Sequence, residues 1–233
     1  MPRLPLKTLK TIPLLLVFLL GQLLHGSIES FALEERAPSG SLKILALGDS
    51  LTEGYGVPLS QAYPARLQEM LRKHFPESAE SIQVVNAGVG GSTSASGPKR
   101  LRWHLRAKPH LILLALGAND MLRGISPEIT ERNLKETLQL AADNQIPVIL
   151  AGMRVPPNYG SKYRRQFERL YPRLAREFKV PLIPFLLEGV AGFRDLNLED
   201  GIHPNERGQE KIARLVEPVV SKWIRSYQKR GSP

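Results

Sequence analysis

The sequence predicts an α/β fold in which a parallel sheet of five strands is covered by helices on both faces. Three observations lead there. Short apolar runs rich in Ile, Leu and Val alternate along the chain with longer amphipathic stretches, the order that βαβ units require. The third of these runs, 110–116, is almost wholly apolar, as expected of a strand with helices above and below it. Three polar or glycine-rich motifs fall directly after the runs, at the strand ends where open parallel sheets bind ligands, and a fourth, 200–204, lies in the loop before the last helix.

Taken in order, the first strand is expected at 43–47. A helix over 62–74 follows, with Leu67, Met70 and Leu71 on its apolar face. Ile-Gln-Val-Val-Asn-Ala at 82–87 is the second strand, and a short helix covers about 97–106. The third strand, 110–116, precedes a helix over 127–144, capped by Ser126 and opened by Pro127 at its first position. The fourth strand is 147–151. A long helix lies within 161–178 and a short fifth strand at 181–184. A last helix runs from near Pro204 to about Arg225, and Pro218 should kink or split it. Residues 228–233 read as a frayed tail.

The 233 residues, 42% hydrophobic and 23% charged, suffice for one globular domain with a sizeable core; no repeat or second domain is visible. There is no cysteine, which removes disulfides, thiolate nucleophiles and Cys-based zinc sites without deciding the compartment. At the start, Arg3, Lys7 and Lys10 precede an apolar run over 12–24, shorter than the roughly 20 residues of a membrane span. Ser30-Phe31-Ala32 follows as a small-residue cleavage site, with Gly26 as a second candidate. Residues 1–32 therefore read as a secretory signal and 33–233 as an exported domain, periplasmic or secreted. An uncleaved N-terminal anchor is the alternative, and lipidation is excluded because no cysteine exists to carry it.

The formal charge is +10; three basic residues and one acidic residue lie in the first 32, so the remainder keeps +8. Lys99, Arg100, Arg102, His104, Arg106 and Lys108 form the densest basic cluster. Such clusters are commonly solvated helix faces; the partner they would favour is an anionic membrane surface touched peripherally. No aromatic-rich module accompanies them, so nucleic acid is not expected. Nothing in the chain requires an oligomer, and a monomer is the expected state.

Gly48-Asp49-Ser50-Leu51 follows the first strand. A serine there is an ordinary turn or cap residue unless a base takes its proton. It is not a G-x-S-x-G elbow, because Thr52 stands where that pattern needs glycine. Outside the leader the histidines are His74, His104, His110 and His203, and only His203 has an acid suitably close, Asp200 in Asp-Gly-Ile-His-Pro. A carboxylate accepting from Nδ1–H would leave Nε2 free as base. Ser50, Asp200 and His203 are thus the catalytic candidates. Candidate donors to an oxyanion are the N–H of Ser50, the N–H of Gly91 in the glycine block 88–91, and the side-chain amide of Asn119 in Gly117-Ala118-Asn119-Asp120. The glycine block can alternatively be read as a phosphate cradle, but it lacks both the GxxxxGK[ST] spacing and a full GxGxxG. One Asp and one His are too few for a metal site, and no cofactor is called for.

The four blocks, in this order, resemble the SGNH hydrolase family, also called GDSL esterases, and within it the bacterial periplasmic thioesterase I, protease I and lysophospholipase branch. Pro157-Asn158-Tyr159-Gly160 and the segment 180–185 add to the likeness, which covers nearly everything from Leu42 to Trp223. One departure is Ala118, where the third block often carries a second glycine. The resemblance implies a flavodoxin-like three-layer α/β/α sandwich. It also implies Ser50 as nucleophile, His203 as base and Asp200 as orienting acid, with Ser50, Gly91 and Asn119 around the oxyanion. It implies hydrolysis of fatty acyl esters, lysophospholipids or acyl thioesters through an acyl-serine. Met121, Leu122 and Ile125, and after the fourth strand Val155-Pro156-Pro157 with Pro157 foremost, are the expected walls of an acyl pocket. A carbohydrate or peptidoglycan O-acetyl esterase is the rival enzyme, and a non-catalytic lipid- or glycan-binding module the rival of another class.

Overall fold

The structure, a computed structural model, describes residues 41–230. The expected leader, 1–32, lies outside them, as do 33–40 and 231–233. Five strands, β1 (Leu42–Gly48), β2 (Ile82–Gly88), β3 (Leu111–Ala115), β4 (Val148–Ala151) and β5 (Leu182–Ile183), form one sheet in the order β2-β1-β3-β4-β5. Every pairing is parallel. The seven helices among the described residues are α1 (Ser50–Glu53), α2 (Tyr63–His74), α3 (Gly97–His104), α4 (Ala118–Leu122), α5 (Pro127–Asp143), α6 (Ser161–Phe178) and α7 (Glu206–Lys229). This is the α/β sandwich expected, with the flavodoxin-like strand order.

The central strands explain the arrangement. Every residue of β3 and β4 is buried, so helices must cover both faces. Helix α2 packs against α7 on one side, while α5 packs against α3 and α6 on the other. The buried faces follow the helical period: Tyr63, Leu67 and Leu71 on α2, and Ile212, Val216, Val220 and Ile224 on α7, each set one turn apart. Removing such a side chain from water is worth about 1.5–3 kcal/mol. Helix α5 starts as expected, the Ser126 hydroxyl accepting from the Ile129 N–H and Pro127 standing at the first position.

Two expectations at the C-terminus are corrected. Pro218 does not split the last helix, which continues to Lys229 and takes in Gln228 and Lys229 from the expected frayed tail. Pro218 is on the exposed face, so the Arg214 carbonyl it leaves without a partner faces water. The buried ladder on the opposite face, from Ile212 to Ile224, runs through both halves. Pro172 lies inside α6, half-buried between buried Tyr171 and Leu174, and that helix too is continuous.

The chain leaves β1 toward β2 on one side of the sheet and later returns to β3 on the other. The crevice between the carboxyl ends of β1 and β3 is therefore the topological switch point, where ligands bind in such sheets. Ser50 follows β1 and Asn119 follows β3.

Candidate active site

Ser50 is the first residue of α1, a single turn built by its neighbours. The Asp49 carboxylate caps it by accepting from the Leu51 N–H at 3.0 Å. Gly54 ends it at φ +86°. A Cβ at position 48 would lie 1.9 Å from Thr52 Oγ1, so the glycine before Asp49 is set by buried Thr52. Thr52 in turn is hydrogen-bonded to Tyr63 of α2, Oγ1 to Oη 3.0 Å. At the first helical position the Ser50 N–H has no intrahelical acceptor, and Ser50 lines the crevice.

The facing loop brings its acid and base to the same point. Asp200 Oδ1 accepts from the N–H groups of Ile202 and His203, at 2.8 and 2.9 Å. Oδ2 takes the His203 Nδ1–H at 2.6 Å, and Nε2 meets Ser50 Oγ at 3.0 Å. A carboxylate at Nδ1 requires the proton there, which leaves the Nε2 lone pair for the serine hydroxyl. The tilted ring of Tyr55 covers the imidazole, centroids 4.5 Å apart. The loop is fastened from behind: Asn197 donates to the carbonyls of Val190 and Phe193, and Asn205 to those of Asp195 and Asn197. Slight desolvation would raise the Asp200 carboxyl, but the N–H and ring of His203 and the N–H of Ile202 outweigh it and hold it at about 2.

The donor side comes from two segments. Gly91 lies at φ +71° at the end of the glycine block and lines the crevice. Asn119 Nδ2 gives one hydrogen to the Ser92 carbonyl at 3.1 Å, and Asn119 also lines the crevice. Asp120 beside it is fully buried and accepts from the Ser94 N–H (2.7 Å), the Ser94 hydroxyl (2.5 Å) and Thr130 Oγ1 (3.2 Å). The motif thus supplies an anchor in Asp120, which sequence reasoning passed over; a carboxylate after a candidate donor is its only signal.

The glycine block is no phosphate cradle. A Cβ at Gly88 would meet the backbone of Glu53 at 2.0 Å, and one at Gly90 the Glu53 carboxylate at 2.9 Å. These glycines let β2 lie against α1, with a carboxylate where a phosphate would sit. Among the described residues no group of three or more His, Cys, Asp or Glu side chains converges to hold a metal ion.

Beside Ser50 and His203 opens a cavity of 520 Å³. Met121 and Leu122 line it as expected, whereas Ile125 and Pro157 do not. The turn at Gly124 carries Ile125 away, where its carbonyl accepts from Tyr163 Oη at 2.8 Å. Pro157 opens an exposed 3₁₀ turn, and Pro156 takes the place in the wall. Further walls are Met153 from the loop after β4, Phe185 and Leu187 from the loop after β5, and Ile202 from the His203 block.

Asp49 is buried, and its Oδ2 has no partner among the described residues. Burial pushes its carboxyl up to about 6; the N–H groups of Leu51 and Asp49, then Arg100 and His203, oppose this. Arg100 itself donates to the carbonyls of Gly48 (2.8 Å) and Ala87. The folded chain therefore binds this proton more tightly than the unfolded chain, and stability declines as pH rises from about 4 to about 6. The full difference is on the order of 3 kcal/mol. Asp49→Asn cannot ionise and is expected to gain stability over the native chain at pH 7.5 but not at pH 4, measured by urea unfolding. An equal difference at both pH values would contradict a buried ionised carboxylate.

Residues 46–211 match the model of the GDSL-like Lipase/Acylhydrolase family. An arylesterase of Vibrio mimicus is 37% identical over 189 residues, covering 81% of this chain and 92% of its own. Thioesterase 1/protease 1/lysophospholipase L1 of Escherichia coli K12 is 40% identical over 184 residues, 76% of this chain and 85% of its own. The crystal structure of AlinE4, an SGNH-hydrolase family esterase, is 42% identical with a TM-score of 0.65, covering 78% of this chain and 96% of that one. The chain belongs to the GDSL-like lipase/acylhydrolase family, and it is a carboxylic ester hydrolase.

Proposed function

We propose that the chain hydrolyses fatty acyl esters, lysophospholipids and acyl thioesters through an acyl-Ser50 intermediate. The observation that carries this reading is the Ser50–His203–Asp200 chain, at 3.0 and 2.6 Å, opening onto a 520 Å³ cavity with mainly apolar walls. His203 Nε2 takes the hydroxyl proton as Ser50 Oγ attacks the acyl carbonyl. Asp200 stabilises the imidazolium that forms. Negative charge on the carbonyl oxygen meets the N–H groups of Ser50 and Gly91 and the Asn119 amide. The imidazolium gives its proton to the leaving alcohol or thiol. Water, deprotonated by the same nitrogen, then releases the acid and restores Ser50.

Preference for a long acyl chain follows from the walls, since each buried methylene is worth up to about 0.8 kcal/mol. Tyr55, Leu122 and Ile202 stand exposed around the opening, which supports peripheral contact with an anionic membrane surface. The basic and apolar run over 3–24 and the small-residue site at 30–32 support export to the periplasm or beyond the cell, with a retained N-terminal anchor as the alternative. The combined names of the Escherichia coli relative support activity on esters and thioesters alike.

A series of p-nitrophenyl esters and acyl-CoA thioesters from acetyl to palmitoyl tests the acyl preference. The expected result is a rise in kcat/KM of about tenfold or more between acetyl and octanoyl. A preference for acetyl alone would remove the lipid reading and favour the O-acetyl esterase.

A further inference from the structure

We propose that Arg123 is a positioning residue for the oxyanion site: it holds the Gly91–Ser92 turn so that the Gly91 N–H stays aimed at the reacting carbonyl oxygen. The inference rests on the acyl-serine reading above and goes beyond it, because Arg123 contacts no reacting atom.

The segment 91–94 is held by three side chains of α4 and its end. Asn119 donates to the Ser92 carbonyl at 3.1 Å and Asp120 accepts from the N–H and hydroxyl of Ser94. Arg123 Nη2 donates to the Gly91 carbonyl at 2.8 Å. Asn119 and Arg123 are four residues apart, one turn, so they lie on the same side of α4 and reach adjacent carbonyls. Asp120 is buried, and its bonds serve packing as well as the loop. Arg123 is exposed and has no carboxylate partner within 4.0 Å among the described residues. Its hydrogen bond is to the turn alone.

That turn needs holding. Gly91 is at φ +71°, a conformation from which glycine also has ready access to others. A donor contributes to catalysis only if it is fixed before charge develops. The Gly91 carbonyl belongs to the peptide following Cα of the residue whose N–H is the donor, so fixing that carbonyl restricts ψ of Gly91. A guanidinium suits the task, since its charge strengthens the bond and its fork limits the directions available. The same bond joins the loop after β2 to the helix after β3, and so sets the distance between the Gly91 and Asn119 donors.

The test uses Arg123→Gln and Arg123→Lys with p-nitrophenyl butyrate, which carries no charge for Arg123 to read. Loss of turnover in Ser50→Ala establishes the parent reading separately. Arg123→Gln is expected to lower kcat about tenfold, less than the ~10²–10³ of deleting a donor outright, with KM within about twofold. Arg123→Lys, which keeps one charged donor, should recover part of the loss. Binding of butylboronic acid, whose tetrahedral serine adduct presents an oxygen to the same donors, should weaken by a similar factor in Arg123→Gln. Unchanged kcat and boronate affinity in a folded Arg123→Gln protein would overturn the proposal. So would a rise in KM confined to phosphate-bearing substrates such as acyl-CoA, which would make Arg123 a substrate contact.

Discussion

Ser50→Ala is expected to lower kcat for p-nitrophenyl ester hydrolysis by at least about 10⁴-fold while leaving the melting temperature unchanged. The hydroxyl makes one side-chain hydrogen bond, to His203 Nε2, and Ser50 is only half-buried. Its removal therefore leaves no cavity in the core and no orphaned buried group, because Nε2 still faces the crevice. The turn does not depend on it, since α1 is capped by Asp49 and held by Thr52 against Tyr63. What disappears is the atom that attacks. His203→Ala should cost a similar factor, and the double variant little more than either, because a base without its nucleophile has no proton to take. Parallel steady-state kinetics and thermal melts check this; turnover retained above a few per cent in Ser50→Ala would move the nucleophile elsewhere.

Gly88→Ala is the second large effect, and it acts through the fold. The added Cβ would lie 2.0 Å from the Glu53 nitrogen, 2.5 Å from its Cα and 2.6 Å from the Thr52 carbonyl carbon. All three are backbone atoms, so no side-chain rotation relieves the clash. Either β2 leaves its register beside β1, where Gly88 pairs with Gly48, or α1 shifts and carries Ser50 with it. The expected cost is about 3 kcal/mol or more, with loss of activity in whatever fraction stays folded. Gly124→Ala is the control. That position has open space around it and φ +63°, so only the backbone penalty of about 1–2 kcal/mol applies. Urea unfolding of the pair separates close approach from conformational strain; equal losses would contradict the packing account.

The sheet and the converging motifs were legible because they rest on patterns with few alternatives. Apolar runs such as 110–116 leave little choice but a covered parallel strand, and three polar segments directly following strands share one rim, which the loop before the last helix can reach. The short helices α1 and α4 were not legible, since four or five residues show no helical period. They matter nonetheless: α1 presents Ser50, and α4 holds Asn119, Asp120 and Arg123 toward one loop. The acyl walls were half legible. Met121 and Leu122 adjoin a motif, whereas Phe185 and Leu187 enter from a loop placed by contacts distant in sequence, among them the Leu186 N–H donating to the Gly152 carbonyl at 3.0 Å. Ile125 and Pro157 were misjudged because nearness in sequence ignores the turns at Gly124 and after Pro156. Pro218 does not split its helix, because a proline on a solvent face leaves its orphaned carbonyl to water while the buried face continues.

The central claim is a covalent acyl group on Ser50. Rapid acid quench during turnover of p-nitrophenyl butyrate, followed by peptide mass spectrometry, tests it directly. The account predicts a butyryl adduct on the peptide containing Ser50, accumulating within the first turnover and absent in Ser50→Ala. Sustained turnover with no adduct, or with the adduct on another residue, would contradict it.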